Sequence, residues 1–401
     1  MAEAKKPKVA ILDAPMGSGK TYWIIDEIRK QPDKLYIFVS PLLSEVGDPD
    51  QNIKGRIPEE LPELDFRSPA SKPTKGKHLT RLLEKGLNIS CTHELYERID
   101  LEQMNLIKNG EYVLIIDETL KAVSTYKELT KDDSEVLKSQ ISVDQDSGKV
   151  SWIGVKSGSK FKEAKRFCDE GRLYKFNDIF YMTELPINLI KSAKRIVILT
   201  YLFKGSIMEA WLKANNIEYG LLPTKNLRIS ENDFKKRANE LIEFVTPRFS
   251  EEWGEKKLNV TGYKAMPEQE LKGMSKQLSS YCKRTLSAKS SEIMWTCFSD
   301  QKDKLKGAGF TKGWVACNAR ATNKFADKTV ILYLIDRHIN PNYRKFFDSR
   351  NIGLDGDLYA LSEMVQFIWR SAIREGKKIK LFIPSDRMRK ILKNWLKIGQ
   401  E

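Results

Sequence analysis

Apolar residues along the chain gather into short unbroken runs separated by longer stretches of mixed polarity. Residues 9–13, 35–40, 88–92, 112–117 and 195–200 are such runs, rich in β-branched side chains and lacking alternation, the pattern of strands covered on both faces. Helical periodicity fills much of the sequence between them, so residues 9–200 predict a parallel sheet with crossover helices. Two segments interrupt this rhythm. Residues 51–77 carry Pro58, Pro62, Pro69 and Pro73 and read as a long broken loop. From about 127 to 184 the chain departs again. There, residues 141–143 and 150–153 alternate around Asp146-Ser147-Gly148 and predict a hairpin on the sheet edge, followed by a basic helix over about 160–170.

Beyond Lys204, a helix through Trp211 and Leu212 leads out of the first unit. Residues 226–264 are charged with weak periodicity and read as a linker. A helix over about 267–287 and strands at 292–298, 314–317, 329–335 and 379–383 then supply a second α/β unit. The expected organisation is a first domain over residues 1–225, with the insertion inside it, and a second over 226–401. Both are expected to be parallel sheets flanked by helices, and no internal repeat is visible between them.

Chemistry enters at the end of the first run. Ala14-Pro15-Met16-Gly17-Ser18-Gly19-Lys20-Thr21 stands between a predicted strand and a predicted helix, the context a phosphate-binding loop requires. Gly17 and Gly19 let the backbone wrap a polyphosphate, and the helix N-terminus turns N–H groups toward it. Lys20 reaches the terminal phosphates, and Thr21 can hold Mg²⁺. A nucleoside triphosphate with Mg²⁺ is the expected cofactor. A second site ends the run at 112–117, where Asp117-Glu118 emerge at the C-terminal end of a strand, the edge at which open α/β sheets bind ligands. Asp117 suits the metal's ligand shell and Glu118 the activation of water.

The second unit has no phosphate loop. Residues 360–374 instead read as one helix placing Gln366, Arg370 and Arg374 at intervals of four on a single face. Arginines there are candidates for sensing phosphate charge.

The composition narrows the class. The 401 residues suffice for two or three cores, and 41% hydrophobic with 31% charged residues describes a globular chain. No apolar run is long enough for a membrane span and no secretory leader is evident, so a cytoplasmic location is expected. The five cysteines lack metal-ligand spacing and read as buried thiols. A formal charge of +15 points to a polyanionic partner, with Lys72, Lys75 and Lys77 on the proline-broken loop as phosphate-contact candidates. Trp152, Trp295, Trp314 and Trp395 read as core before they read as base-stacking platforms.

Residues 14–21, 114–119 and 366–374 together resemble, in order, motifs I, II and VI of superfamily 2 helicases. The wider pattern of residues 317–323, 365–374 and 383–388 resembles a short helicase-like branch encoded by bacteriophages. The resemblance implies two tandem RecA-like domains, ATP bound at their cleft, nucleic acid across both, and a helicase or translocase activity in phage DNA replication or recombination. Under it, Pro41 and Leu42 fall in motif Ia, Thr92 and His93 in a strand-contacting motif, and Arg320, Thr322 and Asn323 in motif V, all expected to touch nucleic acid. The sequence departs from the family in reading Asp117-Glu118-Thr119-Leu120 at motif II, Thr200-Tyr201 at motif III, and Ile373 where the second motif VI arginine belongs. DNA and RNA, and Arg370 and Arg374 as the finger, stay open on this reading. The competing classes are a terminase-type packaging ATPase, which would need clustered acids where the chain offers Asp336, Asp348, Asp355 and Asp357, and an ATP-gated annealing or remodelling protein that does not unwind.

Overall fold

A computed structural model of the chain describes residues 7–126, 130–154, 159–177, 180–317 and 324–397. The chain opens with strands β1 (Val9–Asp13), β2 (Tyr36–Ser40), β3 (Ile89–Thr92) and β4 (Val113–Asp117). It then leaves the sheet through β5 (Val123–Thr125), β6 (Ile141–Val143), β7 (Val150–Trp152), β8 (Leu173–Asn177) and β9 (Phe180–Glu184). The sheet resumes with β10 (Arg195–Thr200) and β11 (Tyr219–Leu221). Its order is β11-β1-β10-β4-β2-β3, with every pairing parallel.

Burial on both faces explains the unbroken apolar runs, because crossover helices cover each side of such a sheet. Helix Lys20–Arg29 follows β1 and turns Ile24, Ile25 and Ile28 inward. Helix Leu101–Asn109 precedes β4 and opens with a capping box, in which Asp100 accepts from the Gln103 N–H and Gln103 reciprocates. The parallel register matters most for function. With Leu12 opposite Leu199 and Ile198 opposite Ile116, the ends of β1, β10 and β4 arrive at one edge together.

The second unit repeats the plan on a smaller scale. Strands β12 (Ile242–Phe244), β13 (Ile293–Thr296), β14 (Val330–Tyr333) and β15 (Ile379–Phe382) form an all-parallel sheet in the order β12-β15-β14-β13. Trp253, Trp295, Phe310 and Phe382 are fully buried in its core.

By internal packing the first unit comprises the chain up to Asp13, Lys20–Asn226 and Asn340–Leu354, and the second Ala14–Gly19, Leu227–Ile339 and Asp355–Glu401. Segment Asn340–Leu354 is therefore a late contribution to the first core. Its helix Pro341–Asp348 buries Phe346 and Phe347, with Phe346 edge-on to Tyr174 at 5.3 Å. Arg350 from the same segment grips Glu184 through Nη1 at 2.8 Å and Nη2 at 3.2 Å.

Several expectations need correction. Residues 226–264 are no linker, since they contain helix Glu231–Leu241 and β12, a strand of the second sheet. Lys235, Phe234 and Ala238 are buried on that helix, so its apolar face was hidden among many charges. Residues 51–77 hold helix Arg56–Glu60 and a 3-10 turn, Pro62–Leu64, with proline in its first turn, where a missing N–H costs nothing. The hairpin β6–β7 pairs with no strand of the six-stranded sheet. It forms its own sheet, tied by the bridge Lys149–Tyr174 to the antiparallel sheet β5-β9-β8. Among the described residues, 314–317 form no strand and contribute the bridge Trp295–Trp314.

Replacing Phe346 by Ala should cost the first unit about 3–5 kcal/mol, the usual loss for a buried phenyl ring. Hydrogen exchange would then quicken at β8 and β10 while β13 and β14 keep their protection, because the lost contacts lie in the first core.

Candidate nucleotide site at the sheet edge

The site is built on the C-terminal ends of β1, β2 and β4. After β1 the chain turns through Pro15 to Gly19, with the Ser18 N–H donating to the Pro15 carbonyl at 3.3 Å. Gly17 and Gly19 adopt φ of +76° and +90°, values that L side chains rarely adopt. A Cβ at Gly19 would meet Arg228 in ordinary van der Waals contact, its Cγ and Cδ lying 3.4 Å away. Arg228 donates its backbone N–H to the Ser18 carbonyl at 2.9 Å. This exposed arginine against the loop went unnoticed in the sequence, where Leu227-Arg228-Ile229 carries no motif.

Lys20 opens the helix and is surrounded by acids. Burial pushes its ammonium down to about 8, opposed by Asp117, Asp13 and Glu118 in that order. Asp117 ends β4, half-buried, and burial raises its carboxyl above the ordinary range. Working the other way are a hydrogen bond from Ser40 Oγ to its Oδ2 at 3.0 Å, then the charges of Lys20 and Arg56. Asp13 Oδ2 accepts the Phe203 N–H at 3.0 Å, which ties the end of β1 to the turn after β10.

Glu118 follows in a left-handed conformation, φ +64°, and its N–H still pairs with the Leu199 carbonyl at 2.9 Å. That conformation costs a non-glycine residue about 1–2 kcal/mol. Such strain at a strand end beside charged groups is typical of functional sites.

The other expected residues separate into groups. Pro15, Met16, Gly17, Ser18 and Gly19 form the turn between β1 and helix Lys20–Arg29, and Thr21 is the second residue of that helix. His93 is buried, and its Nε2–H donates to the Asp117 carbonyl at 2.8 Å, bracing the acid-bearing strand from behind. Thr92 spends its hydroxyl capping helix His93–Tyr96, accepting from the Leu95 N–H at 3.3 Å. Pro41 and Leu42 follow β2 half-buried, with the Leu42 N–H donating to Ser40 Oγ at 3.3 Å. Lys75 and Lys77 lie on helix Lys75–Glu84, not on a loop, because Thr74 caps that helix by accepting from the Lys77 N–H. Lys75 is engaged by Asp48 at 2.9 Å, while Lys72 and Lys77 are exposed. Arg320, Thr322 and Asn323 lie outside the described residues.

The single helix carrying Gln366, Arg370 and Arg374 is also corrected. Helix Gly356–Ile368 stops two residues before Arg370, and Arg374 belongs to a separate 3-10 turn, Ala372–Glu375. Ser371 ends the helix: its backbone is extended, its hydroxyl donates to the Ile368 carbonyl at 2.6 Å, and the next N–H turns away to the Lys328 carbonyl at 2.9 Å. Arg370 is consequently buried, with Nη1 3.4 Å from the Cys317 carbonyl, whereas Arg374 is exposed. Gln366 donates to Ser362 Oγ at 3.2 Å.

Ser40, Asp13, Arg56 and Arg228 were the residues that motif reading missed. Ser40 and Asp13 could have been found from the strand ends alone, since parallel register brings every such end to one edge.

A strand–phosphate loop–helix, an acid pair at the end of the strand two places along the sheet and a second parallel-sheet unit give the tandem RecA-like fold seen in helicases. The structure titled XPD_APO superposes over 98% of this chain and 95% of that one, with a TM-score of 0.52 at 13% identity. S. tokodaii Xpd4 does so over 97% and 94%, with a TM-score of 0.51 at 10% identity. In sequence, the chain is 31% identical over 417 residues to the SPbeta prophage-derived uncharacterized protein YonV of Bacillus subtilis (strain 168), spanning 97% of this chain and 98% of that protein. Residues 236–396 match the family described as the YonV C-terminal Rossmann-like domain. The chain belongs to the YonV family, and its helicase-like fold and prophage relative agree with the resemblance drawn from the motifs.

Ser40→Ala should raise the Asp117 carboxyl further above its ordinary value, since it deletes the hydrogen bond that most favours the charged form. Carboxyl carbon shifts followed through an acid titration would show it, and an unchanged Asp117 titration would remove Ser40 from the site.

Proposed function

We propose that the chain is an ATP-driven nucleic-acid helicase or translocase serving phage DNA replication or recombination. One observation carries this reading: the Lys20 ammonium stands at the end of a phosphate loop among Asp13, Asp117 and Glu118, with Glu118 held in a strained turn. The helicase-like fold supports it, as does the +15 charge.

Thr21 and Asp117 offer hard oxygen donors suited to Mg²⁺. Bound there, Mg²⁺ would neutralise charge on the phosphates. Lys20 holds the terminal phosphates, and Glu118 accepts the proton of the attacking water. Of the two motif VI arginines we assign Arg374 to the γ-phosphate, because it is exposed whereas Arg370 is buried near the Cys317 carbonyl. Gln366 is assigned to the same region. Pro41, Leu42, Thr92 and the exposed Lys72 and Lys77 are assigned to nucleic acid.

The packaging reading has less support, because two of its acids meet on an arginine and the other two serve elsewhere. Asp336 and Asp357 are both held by Arg387, at 2.8 and 2.7 Å, Asp355 caps helix Gly356–Ile368, and Asp348 belongs to the first unit.

Lys20→Ala should abolish nucleotide binding or turnover, while Glu118→Gln should bind ATP and hydrolyse it poorly. A Glu118→Gln chain with wild-type turnover on single-stranded DNA would strip Glu118 of its role. Arg374→Ala should lower kcat by about 10³-fold with a smaller effect on ATP affinity, the scale of an arginine finger. Strand displacement, measured beside ATPase activity, separates unwinding from annealing.

The lowered Lys20 pKa adds a pH dependence. With a value of about 8, the free protein holds the ammonium at pH 7 and loses most of it by pH 9, whereas a bound triphosphate favours the charged form. ATP affinity should therefore fall roughly tenfold from pH 7 to pH 9, with proton uptake on binding above pH 8. Calorimetry in buffers of different ionisation enthalpy reads the uptake, and Lys20→Arg should flatten it.

Affinity for a single-stranded oligonucleotide should fall steeply with salt, and neutralising Lys72 and Lys77 together should flatten that slope by about 1.4.

A further inference from the structure

The strands that end at the site begin at the opposite edge of the same sheet, where the residues just before them gather in their turn. Lys8 precedes β1, Asp33 and Lys34 precede β2, Glu111 precedes β4, and Lys194 with Arg195 introduces β10. Together they line a cavity of about 530 Å³, within the range of small-ligand sites. Four cations thus share this space with two carboxylates.

Few of those cationic donors are spent inside the protein. Lys194 pairs with Glu111 at 2.6 Å, and Lys8 Nζ gives one hydrogen bond to the Lys191 carbonyl at 2.6 Å. Lys34 donates to the Gln31 side chain. Arg195 Nε is buried with no hydrogen-bond partner.

The backbone acceptors nearby are engaged. The carbonyls of Leu35, Lys8 and Tyr112 already receive the N–H groups of Val113, Ile196 and Lys194 in the sheet. Lys8 is held below its ordinary value by burial and by the neighbouring ammoniums of Lys191 and Lys108, so the local potential is positive. Guanidinium and ammonium groups together favour phosphoryl oxygens, which present several acceptors and more than one charge.

We propose that this cavity is a second ligand site, taking a small phosphoryl anion such as pyrophosphate or the phosphate tail of a nucleotide, at the sheet edge opposite the phosphate loop. Two features favour a small ligand over a nucleic-acid backbone. Asp33 and Glu111 line the same cavity and would repel a continuous polyanion, and the volume of about 530 Å³ suits a small ligand. The site is independent of the ATPase reading, since none of its residues belongs to the loop or the acid pair.

The test titrates pyrophosphate calorimetrically into the full chain carrying Lys20→Ala, which silences the phosphate loop. One saturable site is expected. Adding Lys8→Gln and Arg195→Gln together should weaken it at least tenfold, and Arg195→Lys alone much less. Should the double variant fold poorly, Lys34→Gln at an exposed position serves instead, with an expected loss of about threefold. Pyrophosphate should also raise the Tm of the Lys20→Ala chain and leave that of the cavity variants unmoved. Three results would overturn the proposal: no saturable binding in the Lys20→Ala chain, an affinity indifferent to the substitutions at Lys8, Arg195 and Lys34, or equal competition by a single-stranded oligonucleotide, which would make the cavity part of a nucleic-acid track.

Discussion

A lysine ammonium drawn out of water must be surrounded by negative charge or lose its proton, and Lys20 stands close to that balance. Burial drives it toward neutrality while Asp117, Asp13 and Glu118 hold the charge in place. The arrangement depends on parallel strands ending in step. Asp13 is delivered by β1, Asp117 and Glu118 by β4, and Ser40 by β2, so a slip in register would separate the acids from the amine. The crossover helices and the buried faces of the sheet keep the ends of those strands at a common edge.

Much of this was legible along the chain. Runs at 9–13, 35–40 and 112–117 announced themselves because strands covered on both sides cannot alternate, and the glycines of the loop stood where positive φ is needed. The motif VI region was not legible to the same degree. Gln366, Arg370 and Arg374 have helical spacing, but spacing says nothing of Ser371, whose hydroxyl and extended backbone end the helix between them. Helix Glu231–Leu241 was missed for a related reason: its buried positions include Lys235, and a lysine that buries its stem disguises an inward face as a polar one.

The strand-end residues Ser40 and Asp13 show a different gap. Each is unremarkable in isolation, and each matters because of which strand lies beside it. Adjacency in the sheet order β11-β1-β10-β4-β2-β3 cannot be read from local pattern, although register follows once that order is known. The same applies to Arg228, distant in sequence from the loop whose Ser18 carbonyl it engages.

The return of Asn340–Leu354 to the first unit bears on how the protein is made. Phe346 and Phe347 fill places in a core whose other members were translated long before, and Glu184 waits for Arg350. During synthesis, the amino-terminal portion leaves the ribosome with that part of its interior bare. It stays incomplete until most of the second unit has also been made. Vectorial folding, one domain finishing before the next begins, is therefore closed to this chain, and an amino-terminal fragment cut at the apparent boundary would carry an apolar wound where the helix Pro341–Asp348 belongs.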